Sequence, residues 1–158
     1  MTLPALPALY VQAQLEIAVG GAKNLRQLVD KNNTGDLASA SCQAFLSEVS
    51  DFASSEVYSL VAKGFDPMDP DVQSAKLVRQ CAVTLAVYWT WHKSTGGTKI
   101  PPDVREARDD ARKTITETSQ SRSLGDAGST AGQTMGAATV KVANIPGSFS
   151  RRKMGGFC

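Results

Sequence analysis

The residue types that most often do chemistry in proteins are scarce in this chain and lie far apart. His92 is the only histidine, and it directly follows the chain's two tryptophans. Three cysteines are present, and no two of them form a CxxC pair: Cys42, Cys81 and Cys158. Since nucleophilic catalysis usually needs a base beside the nucleophile, and metals need several ligands together, neither is favoured. We interpret His92 as a polar ring at the edge of an aromatic cluster.

Two other patterns lack the setting that a chemical site requires. The glycines at 125, 128, 132 and 136 lack the lysine and the strand-to-helix context of a phosphate-binding loop. Asp109 and Asp110 are adjacent, so on a helix they point to different faces and form no carboxylate pair. We expect no catalysis, no metal and no cofactor.

The cysteines divide into two kinds. Cys42 and Cys81 fall on apolar helical faces and are expected to be buried neutral thiols. Cys158 follows a glycine pair and is expected to be exposed, either as an inert thiol or as a thiol that pairs between molecules. No stretch has the pattern of a signal peptide or a membrane span, which favours the cytosol.

Charge is distributed unevenly along the 158 residues. Residues 1–120 hold 12 Lys and Arg against 14 Asp and Glu, a balance of −2, and residues 121–158 hold 5 against 1, a balance of +4. The basic run Arg151-Arg152-Lys153 stands between Phe149 and Phe157. It has three interpretations: a solvated run, anchors on a protein partner with an acidic surface, or contacts to nucleic-acid phosphates.

The stretch Asp71–Lys93 is predicted to be the central helix. Asp69 is a suitable N-cap and Pro70 a suitable first helical residue. Between Cys81 and Trp91 only two threonines are polar, so this half of the helix should be buried on most sides by other helices or a neighbouring subunit.

Helical periodicity predicts three more helices around it. We expect them at residues 7–18, 40–63 and 101–119, with a short amphipathic turn at 25–29. The last of them has a sparse apolar stripe, and three arginines lie outside that stripe: Arg105, Arg108 and Arg112. The predicted fold class is therefore all-α, a small bundle of about four helices spanning residues 1–120.

Composition changes after residue 120, and residues 121–158 are predicted to be a glycine-rich linker and an extended C-terminal arm. Residues 139–145 alternate like a β-strand, with Val140 and Val142 on one face. A single strand must pair with something, and 38 residues can extend at most about 125 Å. We expect the arm to bind a partner through Val140, Val142 and the Phe149–Phe157 segment.

The order of these segments resembles the head–tail adaptor family of tailed bacteriophages, as found in Mu-like phages. The similarity is carried by Tyr10–Glu16, by Leu25–Asp30 with the Gly-Asp turn after it, and by Glu56–Leu60. It continues through the helix Leu77–Trp91, the Pro-Pro start of the last helix, and the ending from Phe149-Ser150-Arg151-Arg152 to Gly156-Phe157.

The resemblance implies a structural protein of the virion, made in the bacterial cytoplasm and located at the head–tail junction. Such subunits form a ring, commonly dodecameric, under the portal protein. The ring extends the DNA channel without sequence-specific binding and docks the next tail or stopper component; no membrane takes part. In such a ring Arg105, Arg108 and Arg112 of the last helix are candidates for a face toward a neighbouring subunit or the channel. The alternative is a small helical nucleic-acid-binding protein, for packaging or regulation, that uses its basic tail.

Overall fold

The structure, a computed structural model, describes residues 7–122 and residue 124. Within that part of the chain it is all-α, as predicted, but it has six helices rather than about four. Their bounds are α1 Gln12–Ala18, α2 Ala22–Val29, α3 Ala40–Val61, α4 Pro70–Ser74, α5 Lys76–Thr95 and α6 Pro102–Ser121. The predicted strand at 139–145 lies outside the described residues.

Helix α5 is the centre of the described fold, as its apolar sequence predicts. It contacts each of the other five helices, and α3 and α6 pack against it and against each other. Its buried residues recur at helical spacing: Val78, Cys81, Ala82, Leu85, Ala86 and Thr90. Thr90 is fully buried and its hydroxyl donates to the Ala86 carbonyl oxygen at 2.7 Å, so its polar atom is satisfied inside its own helix.

The predicted central helix is broken where continuity was expected. Ala75 is buried and has ψ 126°, an extended conformation that separates α4 from α5. Side chains supply hydrogen bonds at the break. The Ser74 hydroxyl donates to the Asp71 carbonyl, and Arg79 Nε donates to the Gln73 carbonyl, each at 3.1 Å. The N-cap was predicted correctly, since the Asp69 carboxylate accepts from the Asp71 amide at 2.9 Å.

The first helix begins later than predicted, at Gln12 rather than near Pro7. Residues 7–10 instead cross α3 as an irregular segment, with Leu9 and Tyr10 buried. The Tyr58 hydroxyl donates to the Pro7 carbonyl at 3.0 Å, and the Leu9 amide donates to Ser54 Oγ at 3.4 Å. Tertiary bonds to α3 therefore replace the helix that Pro7 was expected to open.

The short turn predicted at 25–29 is a full helix, α2, which buries Leu25 and Val29. It begins one residue after Gly21, whose φ of 115° suits glycine and lets the chain turn sharply out of α1. Asn24 Nδ2 donates to the carbonyls of Val19 and Gly20 at 3.2 Å, so α2 also satisfies the end of α1.

Helices α3 and α6 meet closely at their C-terminal ends. The predicted apolar face of α3 is buried throughout: Leu46, Val49, Ala53, Val57, Leu60 and Val61. Helix α3 ends two residues earlier than predicted, and Gly64 follows it with its backbone against the Ser119 carbonyl of α6. Helix α6 runs two residues beyond Ser119, so the predicted domain boundary at residue 120 falls in its last turn.

Candidate partner-binding surface

The sequence-predicted partner residues divide between the described body and the rest of the chain. The arm residues lie outside the described range: Val140, Val142, Phe149, Arg151, Arg152, Lys153, Phe157 and Cys158. The three arginines predicted as a neighbour or channel face, Arg105, Arg108 and Arg112, all lie on α6.

Glu56 of α3 organises the surface on which two of these arginines lie. Its side chain is only 12% exposed, its Oε1 accepts from Arg108 Nη2 at 3.4 Å, and the same oxygen forms an ion pair with Arg112 Nε at 3.3 Å. Its Oε2 accepts from the indole Nε1 of Trp89 at 2.8 Å. One carboxylate therefore ties α3 to both α5 and α6, and such charge-assisted bonds are stronger than neutral ones.

Aromatic rings extend this cluster toward the solvent. Phe52 stacks on Trp89 with ring centroids 5.2 Å apart, and it remains 50% exposed. The guanidinium of Arg108 lies 4.2 Å from the ring centroid of Tyr88, a cation–π contact. His92 packs on Tyr88 at 5.9 Å and on Trp89 at 5.3 Å, which confirms its interpretation as a ring at an aromatic cluster.

Arg105 differs from the other two arginines. It is exposed and lies one turn before Arg108 on α6. Because Gly64 of α3 meets Ser119 and Glu56 meets Arg108 and Arg112, α3 and α6 run in the same direction. Arg105, one turn before Arg108, and Phe52, one turn before Glu56, therefore lie toward the same end of the described body.

We call this set of residues the arginine–aromatic surface: Phe52, Glu56, Tyr88, Trp89, Arg105, Arg108 and Arg112. Its three guanidinium groups exceed its single carboxylate by two charges. Exposed aromatic rings beside arginines are typical of protein–protein contact surfaces. The arrangement suits docking rather than bond-breaking chemistry.

The remaining polar clusters of the described body are smaller. Lys93 pairs with Glu48 and lies over the ring of Phe45, 4.9 Å from its centroid. Desolvation, and then the charge of nearby Lys31, lower the pKa of Lys93. Lys31 Nζ in turn donates to the Lys93 carbonyl at 3.1 Å, so this cluster joins the α2–α3 loop to the end of α5.

A shallow groove of about 190 Å³ lies between the start of α1 and α3, lined by Tyr10, Gln12, Gln43 and Ser47 among others. The Tyr10 hydroxyl is buried, and no residue of the described range meets it in good hydrogen-bonding geometry. Burial raises the pKa of Tyr10 to about 12; the nearby Ser50 hydroxyl opposes this rise and the charge of Asp51 adds to it.

The expected buried thiols are found. Cys42 and Cys81 are buried, and burial raises the pKa of Cys81 to about 11, so it is a poor nucleophile at neutral pH. In residues 7–122 and 124 no three His, Cys, Asp or Glu side chains are grouped as metal ligands. No helix in the same range is long and apolar enough to cross a membrane.

Sequence reasoning found the arginines but missed the carboxylate that holds two of them. The signal was present, because Glu56 falls on the same helical line as Phe45, Val49 and Phe52, where a charged residue is out of place on an apolar edge. A carboxylate there needs cations or hydrogen-bond donors from neighbouring helices. Which helices supply them depends on packing that periodicity does not give.

Comparison of the chain with protein-family models, with curated proteins and with solved structures finds no match in any of the three.

Proposed function

We propose that this protein is a head–tail adaptor subunit of a tailed bacteriophage, a structural protein that forms a ring under the portal protein. In this proposal the helical body provides the ring wall around the DNA channel. The basic arm at 121–158 holds a neighbouring subunit or the portal, and the free side of the ring docks the next tail or stopper component. The protein then resides at the head–tail junction of the virion.

The observation that carries the proposal is the incomplete burial of the central helix in a single copy. Four large apolar residues on α5 stay half-buried although this helix contacts every other helix of the described body: Val83, Val87, Tyr88 and Trp91. Three of the aromatic residues on α5, Tyr88, Trp89 and Trp91, are only partly buried, and the Phe52 ring stacked on Trp89 is 50% exposed, so an aromatic edge of the body faces the solvent. A subunit that works inside an assembly covers such surface with its neighbours.

The resemblance in segment order supports the same assignment from the sequence. The arm supplies a second argument, since its balance of +4 is opposite in sign to the −2 of residues 1–120. An arm with charge opposite to the body is suited to bind a neighbouring body and to link subunits in series.

The test is reconstitution with the portal protein of the same phage. The full chain, alone and mixed with the portal, is measured by light scattering and imaged by electron microscopy. A ring on the portal, with an annular density of several subunits, is the expected result. A chain that ignores the portal but binds duplex DNA, with an affinity that falls steeply as salt rises, would instead identify the nucleic-acid-binding alternative.

A further inference from the structure

Helix α6 carries its charges in two separate rows. One row is basic, Arg105, Arg108 and Arg112, and belongs to the arginine–aromatic surface. The other is acidic and consists of Asp103, Glu106 and Asp110. At 3.6 residues per turn, Arg108 and Asp110 are separated by about 200° around the helix, so the rows lie on opposite sides of it. Asp109 lies on the ridge between them.

The acidic row is available for contact in a single copy. All three of its residues are exposed, and within the described range none of them forms an ion pair. Lys113 follows the row by one turn on the same side of the helix, where it lies 3.9 Å from Glu117 in an exposed ion pair. Within the described body the row therefore presents three exposed carboxylates, none of which is in an ion pair.

The two rows match in length as well as in sign. Each spans eight residues, from 103 to 110 and from 105 to 112, and the ends of each row are about 10 Å apart along a helix. The basic row has two charges in excess of Glu56, and the exposed Phe52 ring beside it supplies an apolar centre. A charged rim around an aromatic centre is the usual composition of a specific protein interface.

We propose that a second copy of this chain covers the arginine–aromatic surface with the acidic row of its α6, Asp103, Glu106 and Asp110. The contact is heterologous, because a different surface of each copy takes part. Every copy keeps one free surface of each kind, so the contact repeats and produces a ring when the rotation closes. This inference rests on the proposed function, for which it names the contact between ring subunits.

Charge-reversed variants of the full chain test the contact, with self-association followed by analytical ultracentrifugation at low salt up to millimolar concentration. The basic-row variant is Arg105→Glu, chosen because Arg105 makes no ion pair in the described body. The acidic-row variant is Glu106→Lys with Asp110→Lys. Lys23→Glu is the matched control, since Lys23 is an exposed residue of α2, away from both rows.

We expect the wild type and Lys23→Glu to associate, and each row variant alone to associate at least about tenfold more weakly, because like charges meet. Mixing the two row variants should restore association. The Arg105→Glu surface of one variant then faces the Glu106→Lys and Asp110→Lys row of the other, so opposite charges meet again. Association of the wild type should also weaken as salt rises and the Debye length shortens. Circular dichroism and thermal unfolding show whether each variant is folded.

Three results would overturn the inference: a wild type that stays monomeric throughout, row variants that associate like the wild type, or a mixture that does not recover. Loss of duplex DNA binding by Arg105→Glu, with unchanged self-association, would also overturn it and assign the basic row to phosphate contacts. If the row variants still form rings on the portal, only this contact fails. If the mixed row variants associate again but the wild type never binds a portal, only the proposed function fails.

Discussion

Helices α5 and α6 have the same length, 20 residues, and are used in different ways. Helix α5 buries residues from Val78 to Thr90 and contacts all the other helices of the described body. Helix α6 buries only Ala111, Ile115 and Ser119, and much of the rest of its surface carries charged side chains. The comparison shows that α5 is constrained by packing, whereas most of α6 is free to serve an interface. Substitutions should therefore affect stability on α5 and association on α6.

The largest effect is expected from truncating a side chain at the centre of α5. Leu85 is fully buried, and Leu85→Ala should lower the free energy of unfolding by about 2–5 kcal/mol, through lost burial and the cavity it leaves. Urea denaturation followed by tryptophan fluorescence measures it. Ile17→Ala on α1 is the control, since Ile17 is 80% exposed and its loss should change stability by less than about 0.5 kcal/mol. Equal effects at the two positions would contradict the described core.

The contact between the ends of α3 and α6 should be nearly as sensitive. A methyl group on Gly64 would overlap the Ser119 carbonyl oxygen, which is backbone and cannot rotate away. Gly64→Ala should therefore destabilise the protein by about 1–3 kcal/mol, measured in the same denaturation experiment. The neighbouring exposed residue gives the control, Lys63→Ala, which should be close to wild type. A Gly64→Ala protein as stable as that control would mean that the helix ends are not in contact.

A substitution at Glu56 tests whether this carboxylate links α3 to α6. Glu56→Gln removes the charge that holds Arg108 and Arg112 and should cost about 1–3 kcal/mol, because hydrogen bonds to charged groups are the stronger ones and the arginines lose their partner. Glu106→Gln, an exposed carboxylate on the acidic row, should leave stability almost unchanged and weaken only self-association. If Glu56→Gln and Glu106→Gln change the free energy of unfolding equally, Glu56 does not organise the surface.

The smallest effect should appear only at alkaline pH. The pKa of Tyr10 is raised to about 12, so between pH 10 and 12 the unfolded chain releases the Tyr10 proton while the folded chain keeps it. Stability from this group is complete below pH 10 and is lost as pH rises toward 12. Tyr10→Phe should make the decline shallower, and at pH 7 it should be nearly neutral, because the buried hydroxyl has no good partner in the described range. An unchanged alkaline decline would show that Tyr10 is not buried as described.

Periodicity predicted the parts of the fold that depend on apolar spacing. It identified α5 as the central helix, the buried face of α3 and the stripe on α6, because these follow from the positions of Leu85, Val49 and Ile115 alone. It failed where tertiary hydrogen bonds compete with local preference. The segment at Leu9 is held by Ser54 and Tyr58 instead of forming a helix, and the break at Ala75 is stabilised by side chains of its neighbours.

The candidate surface was predictable only in part, for a related reason. The spacing of the α6 arginines is visible in the sequence, whereas the 50% exposure of Phe52, which falls on the apolar line of α3, is not. Within the described body Glu56 pairs with Arg108 and Arg112 but not with Arg105. This choice depends on how far α6 is rotated against α3, which the sequence of a single helix does not determine. The arm residues, from Val140 to Cys158, remain predictions from sequence.

The proposed head–tail adaptor function is tested most directly by the mass of the full chain, alone and mixed with a portal protein from the same source, measured by multi-angle light scattering. We expect a ring, or a smaller species that becomes a ring of several subunits when the portal is present. A monomer that stays monomeric beside the portal would contradict it.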